Sequence, residues 1–152
     1  MADATAQASP GTWVDPYRAY NFRLEVQGVS QGRFIESSGI DIDVEAIPYR
    51  EGGAGQIVHQ VMGQVTHQSI TLRWGLSASR ELWDWFMKIT RGEADRRNVS
   101  IILLASDGVT EVVRWNLNGA WPKAFRGVTL NSLSREIAIE SLTLVFEGVE
   151  RS

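Results

Sequence analysis

Gly75-Leu76-Ser77-Ala78-Ser79 lies between a strand-like and a helix-like segment and nearly forms a nucleophile elbow, the strained turn that presents a serine to a carbonyl carbon. Ser79 stands where that turn needs its second glycine. A serine nucleophile also requires a histidine base steadied by a carboxylate. The only histidines, His59 and His67, fall in a glycine-rich segment without an evident orienting carboxylate. Their spacing matches no common zinc site, so a metal would need ligands recruited from elsewhere. Gly52-Gly53-Ala54-Gly55 lacks the Lys and Ser or Thr that complete a phosphate loop, which leaves its glycines the task of backbone freedom. Carboxylates are scattered, with no close pair to divide acid and base roles. Neither an enzymatic activity nor a cofactor or metal is expected.

Composition narrows the remaining classes. The chain has 152 residues, within the range of one domain with a self-sufficient core, and no cysteine, so disulfides and thiolate metal sites are excluded. Its net charge of −3 comes from 15 basic and 18 acidic residues mixed along the chain, and specific nucleic-acid binding is not expected. The densest basic group, Arg91, Arg96 and Arg97, is interleaved with Glu93 and Asp95. Residues 1–12 lack the charged and apolar regions of a signal peptide and are expected to form a flexible N-terminal arm before a single domain over 13–152. The longest apolar run, Ile101 to Ala105, is strand-sized, far below the roughly 20 residues that span a bilayer. Synthesis in the cytoplasm is expected.

Most of the chain has the period of strands. Phe22, Leu24 and Val26 share one face of a first strand; Gln27-Gly28 turns it toward a second at Arg33–Ser37, expected to complete a hairpin. Ile42 to Ile47 alternates up to Pro48, which marks an edge or the end of regular pairing. From Glu51 to Gln68 no period dominates, and the segment is expected to be a long loop or protruding hairpin. Its apolar residues Ile57, Val58, Val61, Met62 and Val65 argue that it docks on something. Ile70, Leu72 and Trp74 form the next strand face.

One helix follows, with Ser79 as N-cap, Glu81 and Asp84 near its start, Lys88 and Arg91 near its end, and Gly92 as terminator. Leu82, Trp85, Phe86 and Ile89 make its buried stripe, while Trp83 and Met87 widen the apolar face beyond what a sheet would cover. Val99 to Leu104 is apolar on both faces, as in a central strand. Asp107-Gly108 signals a hairpin to a strand with Val113, Trp115 and Leu117 inward, and Trp121-Pro122 begins a further extended stretch. In the last strand Ile137 and Ile139 differ in parity from Leu142, Leu144 and Phe146. A bulge or a change of sheet near Glu140–Ser141 would explain the slip. Roughly eight strands to one helix make a mainly β chain whose exposed edges must be covered, charged or paired, so self-association is the positive expectation.

Asp15-Pro16-Tyr17 before Asn21-Phe22, Phe34 with Ser38-Gly39, Tyr49-Arg50-Glu51-Gly52-Gly53, Ser79-Arg80-Glu81-Leu82-Trp83-Asp84-Trp85, Arg114-Trp115-Asn116 with Ala120-Trp121-Pro122, and Ile139-Glu140-Ser141-Leu142 through Glu147-Gly148 occur in one order. From about Trp13 to Arg151 the chain resembles the tail-tube proteins of contractile phage tails and extracellular contractile injection systems. The resemblance implies two packed antiparallel sheets flanked by one helix, and hexameric rings whose strands join into one continuous β-barrel around a lumen. Stacked rings would form an inner tube that a sheath propels, with baseplate, spike and tube-terminating proteins at its ends and cargo in its lumen. The particle would be released from the cell or anchored to a membrane by other components. Tyr49, Arg50, Glu51, Ile57, Val58, Val61, Met62, Trp83 and Met87 are the candidate subunit or ring contacts. Two other roles on the same fold are a tube-initiator or baseplate paralogue and a secreted ring protein of a membrane-anchored secretion machine. The lumen face is left open between the polar sides carrying Arg23 and Glu25 or Thr71 and Arg73.

Overall fold

Alternation of Phe22, Leu24 and Val26 with Arg23 and Glu25 makes β1 (Phe22–Val26), which buries Leu24 and Val26. A computed structural model of the chain describes residues 22–27, 29–30, 34–53, 55–75, 80–133 and 135–152; the expected arm over residues 1–12 lies outside them. Gln27, at a φ of 52°, turns the chain directly into β2 (Val29–Ser30), which pairs with β1. The strand expected at Arg33–Ser37 therefore does not complete this hairpin. Its described part, β3 (Glu36–Ser37), pairs with β6 (Ile70–Gly75) in another sheet, because the tight turn after Val26 has already filled that edge of β1.

Two antiparallel sheets share one long strand. The first has the order β2, β1, β7 (Arg97–Leu104), β8 (Glu111–Arg126) and β10 (Gly148–Arg151); the second runs β8, β9 (Ile139–Val145), β6 and β3. The first half of β8 pairs with β7 and β10, its second half with β9, so no new element starts at Trp121-Pro122. Pro122 is tolerated because β8 is there the edge of the second sheet, and the ladder shifts beside it between Pro122 and Ala124. Just before the crossing Gly119 takes a φ of 63°, and a Cβ there would lie 3.1 Å from Glu147 Oε2. The neighbouring chain crosses at the same level: after β9 it passes Phe146 and Glu147, whose N–H donates to the Asn118 carbonyl at 3.0 Å, and rejoins β8 as β10.

Between the sheets lie Leu24, Val99, Ile101 and Leu117 from the first and Ile70, Leu72, Leu142 and Leu144 from the second. Each such aliphatic side chain contributes about 1.5–3 kcal/mol relative to exposure. The parity slip near Glu140–Ser141 is not a bulge, since β6 and β9 pair without a shift through those residues. Ile137 is exposed outside the strand, and Glu140 occupies a core-parity position where its Oε2 accepts the Trp74 indole N–H at 3.1 Å. A buried indole N–H needs such an acceptor, which is why a carboxylate interrupts the apolar series. The change of sheet comes later, at Phe146–Glu147.

α1 (Glu81–Thr90) connects the two sheets and buries Trp85 almost completely. The Trp85 indole N–H donates to the Asp95 carbonyl at 2.8 Å, and the Arg97 guanidinium lies 5.1 Å over the ring. The Arg97 hydrogen bond is also the chief reason that the Asp95 carboxyl sits below its ordinary value. The N-cap position falls at Arg80, which makes no side-chain capping bond, and Ser79 lies outside the described residues. Gly92, at a φ of 83°, ends the helix as expected.

In the Asp107-Gly108 turn one Asp107 oxygen accepts the N–H groups of Val109 and Thr110, both at 2.9 Å, and the other accepts the Thr110 hydroxyl. With the Thr110 hydroxyl as the largest cause, the carboxyl is lowered to about 2. Since this lies below the value of a free aspartate, the turn's contribution is complete above that free value and fades as pH falls through about 2. NMR titration should place the Asp107 midpoint near 2; a midpoint at the free-aspartate value would contradict the hydrogen bonding described. Leu72→Ala should reduce the unfolding free energy of the unassembled subunit by about 3–4 kcal/mol in denaturant, since Leu72 is fully buried between the sheets.

Candidate assembly surface

The pairing of β3 with β6 does not stop at the second sheet. Ser38 N–H donates to the Thr71 carbonyl and Gln68 N–H to the Asp41 carbonyl, at 2.9 and 3.0 Å, which carries the register into β4 (Ile42–Tyr49) and β5 (His59–His67). β4 and β5 form a two-stranded sheet of their own, and every residue of β4 is exposed. At about 3.3 Å per residue this ribbon is roughly 26 Å long. The segment Glu51–Gln68 is thus the outer turn and second strand of a protruding hairpin.

Its weak strand period has a structural cause. Val44 pairs with Val65 but Ala46 with Met62, so Gly63 and Gln64 together face Glu45. A Cβ on Gly63 would lie 2.9 Å from Glu45 Oε2 and 3.1 Å from Ile47 Cδ1, so glycine lets the bulge close. Pro48 sits opposite Gln60 within the ribbon, as an edge strand allows. One ribbon face carries Ile42, Val44, Val65 and Met62, the other Ile47, Val61 and Tyr49. Met62 is 86% exposed; Ile57 is exposed beyond the paired region and Val58 half-buried, with Arg50 and Glu51 exposed at the outer turn. An isolated ribbon is marginal in water, and apolar surface on both of its faces makes it a candidate site of association.

Trp83 and Met87 lie on a different element. The Trp83 ring meets Phe125 edge-on at 4.9 Å, and Phe125 also contacts Phe86 and Trp74. Trp83 is still 41% exposed, so one edge completes the subunit's own packing while the rest meets solvent; Met87 is half-buried. A third surface escaped the sequence reading. The connection 127–138 between β8 and β9 holds Leu130, Leu133 and Ile137 almost wholly in solvent. Three large apolar residues in a stretch without helix or strand period were the available signal.

Both outer sheet faces are polar. On the first, Arg23 and Arg114 alternate with Glu25 and Glu111 through contacts of 2.8–3.2 Å, a closed ring of two positive and two negative groups. Arg23 and Arg114 flank Ile102 across the strands, and Ile102 is fully buried there. The Glu111 hydrogen bond is the main cause of the raised Arg114 value. On the second face, the Thr71 and Thr143 hydroxyls lie 3.3 Å apart and Arg73 pairs with Glu36 at 3.2 Å.

His59 stands exposed opposite Tyr49, and the His67 ring lies 5.4 Å from Phe146 at the ribbon root. Ser77 falls outside the described residues. Among the described residues no three His, Asp or Glu side chains converge as a metal site, and no helix is long and apolar enough to cross a membrane.

The family profile described as T4-like virus tail tube protein gp19 matches residues 18–150. A chain in the sheath–tube complex of an extracellular contractile injection system, PVC, in the extended state is 28% identical, with a TM-score of 0.81 over 90% of this chain and 91% of that one. A chain in the PVC sheath/tube terminator structure is 27% identical, with a TM-score of 0.83 over 93% and 99% of the two chains. A chain in the structure of the anti-feeding prophage cap, a tube-terminating cap, shares the fold at 24% identity and a TM-score of 0.84, each chain covered to 99%. No protein of curated function matches the chain.

Gly63→Val should disorder the ribbon while leaving the sandwich intact: proteolysis should begin within 42–67, and the melting temperature of the unassembled subunit should barely move. Trp83→Ala should cost that subunit about 1–2 kcal/mol through the lost Phe125 contact. A neutral result in denaturant would place Trp83 outside the subunit's own packing.

Proposed function

The chain belongs to the T4-like virus tail tube protein family, and on that premise we propose that it is the inner-tube subunit of a contractile injection system or phage-like tail. Its role is structural. Six copies form a ring in which strands of neighbouring subunits join as one barrel, and rings stack into a hollow tube. A sheath surrounds the tube, baseplate and terminator proteins close its ends, and cargo travels in its lumen. The chain contributes rigidity and shape and performs no reaction. The particle acts outside the cell that builds it.

The observation that carries this reading is the ribbon. It extends the second sheet into solvent with apolar side chains on both faces that the described residues leave uncovered. Its candidate contacts Tyr49, Arg50, Glu51, Ile57, Val58, Val61 and Met62 gather on one projecting element, where they would meet the next ring. Trp83 and Met87 would meet a neighbour through the surface that Phe125 leaves free.

The similarity to a chain of the sheath/tube terminator structure favours a second reading, an end-capping or initiating paralogue. Copy number separates the two. Cryo-electron microscopy of the native particle should show this chain in every ring of a sixfold hollow tube. A single ring at one end would assign the capping role, and absence from the particle would overturn both. Replacing residues 50–58 by a short turn should leave a folded subunit unable to stack; tubes of normal length would remove the ribbon from the contact.

A further inference from the structure

The core is open at one end. On the inner face of the first sheet, Phe22 pairs across the strands with Leu103 and Ile101 with Trp115. Leu24, Val99 and Leu117, further along that face, are buried, whereas Phe22, Leu103 and Trp115 are only half-buried. The other wall comes from the chain on either side of β3, where Ile40 is half-buried and Ile35 exposed. These side chains line a groove of about 570 Å3, completed by Glu36 to Gly39. The charged residue of that lining, Glu36, is already paired with Arg73 at 3.2 Å, so the remaining surface calls for an apolar or aromatic occupant.

The position of the opening selects that occupant. β1 begins at Phe22, so residues 1–21 join the fold at the groove's own lining. At no more than about 3.6 Å per residue, Tyr20 stands within about 7 Å of Phe22 along the chain and Tyr17 within about 18 Å. Residues 1–12 are small or polar apart from Met1, whereas Trp13, Val14, Tyr17 and Tyr20 gather just before β1. Asp15-Pro16 has the residue types that cap and open a helical turn, and such a turn puts Tyr17 and Tyr20 on one side, three residues apart. Gln31, Gly32 and Arg33, which precede the groove and also lie outside the described residues, bring no apolar side chain. A tethered segment meets the groove at an effective concentration on the order of millimolar, which a separate chain would have to match in bulk. Tyrosine suits the site, since its ring matches the apolar walls and its hydroxyl matches the rim at Ser37 and Ser38.

We propose that this groove is the docking site for Trp13–Tyr20 of the same chain, with the Tyr17 and Tyr20 rings against Phe22, Ile35 and Leu103 and their hydroxyls at the Ser37–Ser38 rim. The segment closes the open end of the core, so the sandwich completes its packing from its own residues, and the boundary between arm and domain falls between Thr12 and Trp13. The contact is made within the single subunit and does not depend on the tube.

In the full, unmodified chain kept unassembled at low concentration, with only tyrosine rings and Ile and Leu methyls visible by NMR, nuclear Overhauser effects should link the Tyr17 or Tyr20 ring to Ile35 or Leu103. These effects should vanish in a mixture of copies labelled at tyrosine with copies labelled at isoleucine and leucine. Their persistence in the mixture would mean that the groove receives the segment of a second copy, and their absence from the doubly labelled chain would leave it without this occupant; either result overturns the proposal. As an independent measure, removing residues 1–12 should leave the melting temperature unchanged, whereas Tyr17→Ala combined with Tyr20→Ala should lower it by about 4–8 °C. In a Leu103→Ala background the same pair should lose no more than about half as much, because the surface on which it packs has been cut away. An equal loss in both backgrounds would place the two tyrosines elsewhere.

Discussion

The crossing of two adjacent strands from one sheet to the other is the constraint on which the rest of the molecule depends. β8 passes at Gly119–Pro122 and its neighbour at Phe146–Glu147, so the sheets are joined by continuous backbone at the same level. They cannot slide or separate without breaking the ladder that holds β8 to β9 and β10. The special residues cluster there for that reason: a glycine in a left-handed conformation with Glu147 against it, a proline on an edge, and a register shift. Core packing by Leu72, Leu117, Leu142 and Leu144 then fills a space whose shape the crossing has already set.

A second consequence concerns where the molecule leaves its needs unmet. The sandwich satisfies itself, burying its apolar faces and pairing charges on its outer surface. The ribbon does not. It has the hydrogen bonds of a hairpin, and among the described residues it has no sheet face to pack on, while β4 alone carries Ile42 and Val44 on one side and Ile47 and Tyr49 on the other. In the proposed tube a neighbour would cover that surface and recover the free energy missing from the subunit, which would couple the order of the ribbon to assembly.

How much of this was legible in the residues depended on whether a decision was local. Alternation placed Leu24, Ile70, Leu72 and Leu117 inward, and the helix with its Gly92 terminator could be read directly. Partner choice could not: β3 has two residues and no period, and its pairing with β6 is decided across more than thirty residues of intervening chain. Glu140 looked like a break in the last strand because the Trp74 indole that it serves lies on another strand. Of the candidate contacts, Tyr49, Ile57, Val61 and Met62 come together on the ribbon because they flank its outer turn. Leu130 and Leu133 were missed because an aperiodic stretch gives no face on which to place them, and Ile137 was read into the last strand although it is exposed before that strand begins.

The continuity of β3 with β4 and of β5 with β6 also sets the path of mechanical load. A force applied to the ribbon's outer turn is directed along the strands into the second sheet, where the ladder between β6 and β9 runs parallel to it. Bonds arranged that way are strained together in shear, whereas a strand peeled from its end loses them one after another. From β9 the load passes through the crossing into the first sheet, so tension delivered at one end is shared across both layers. The subunit is thereby built as a tie that resists stretching along its length.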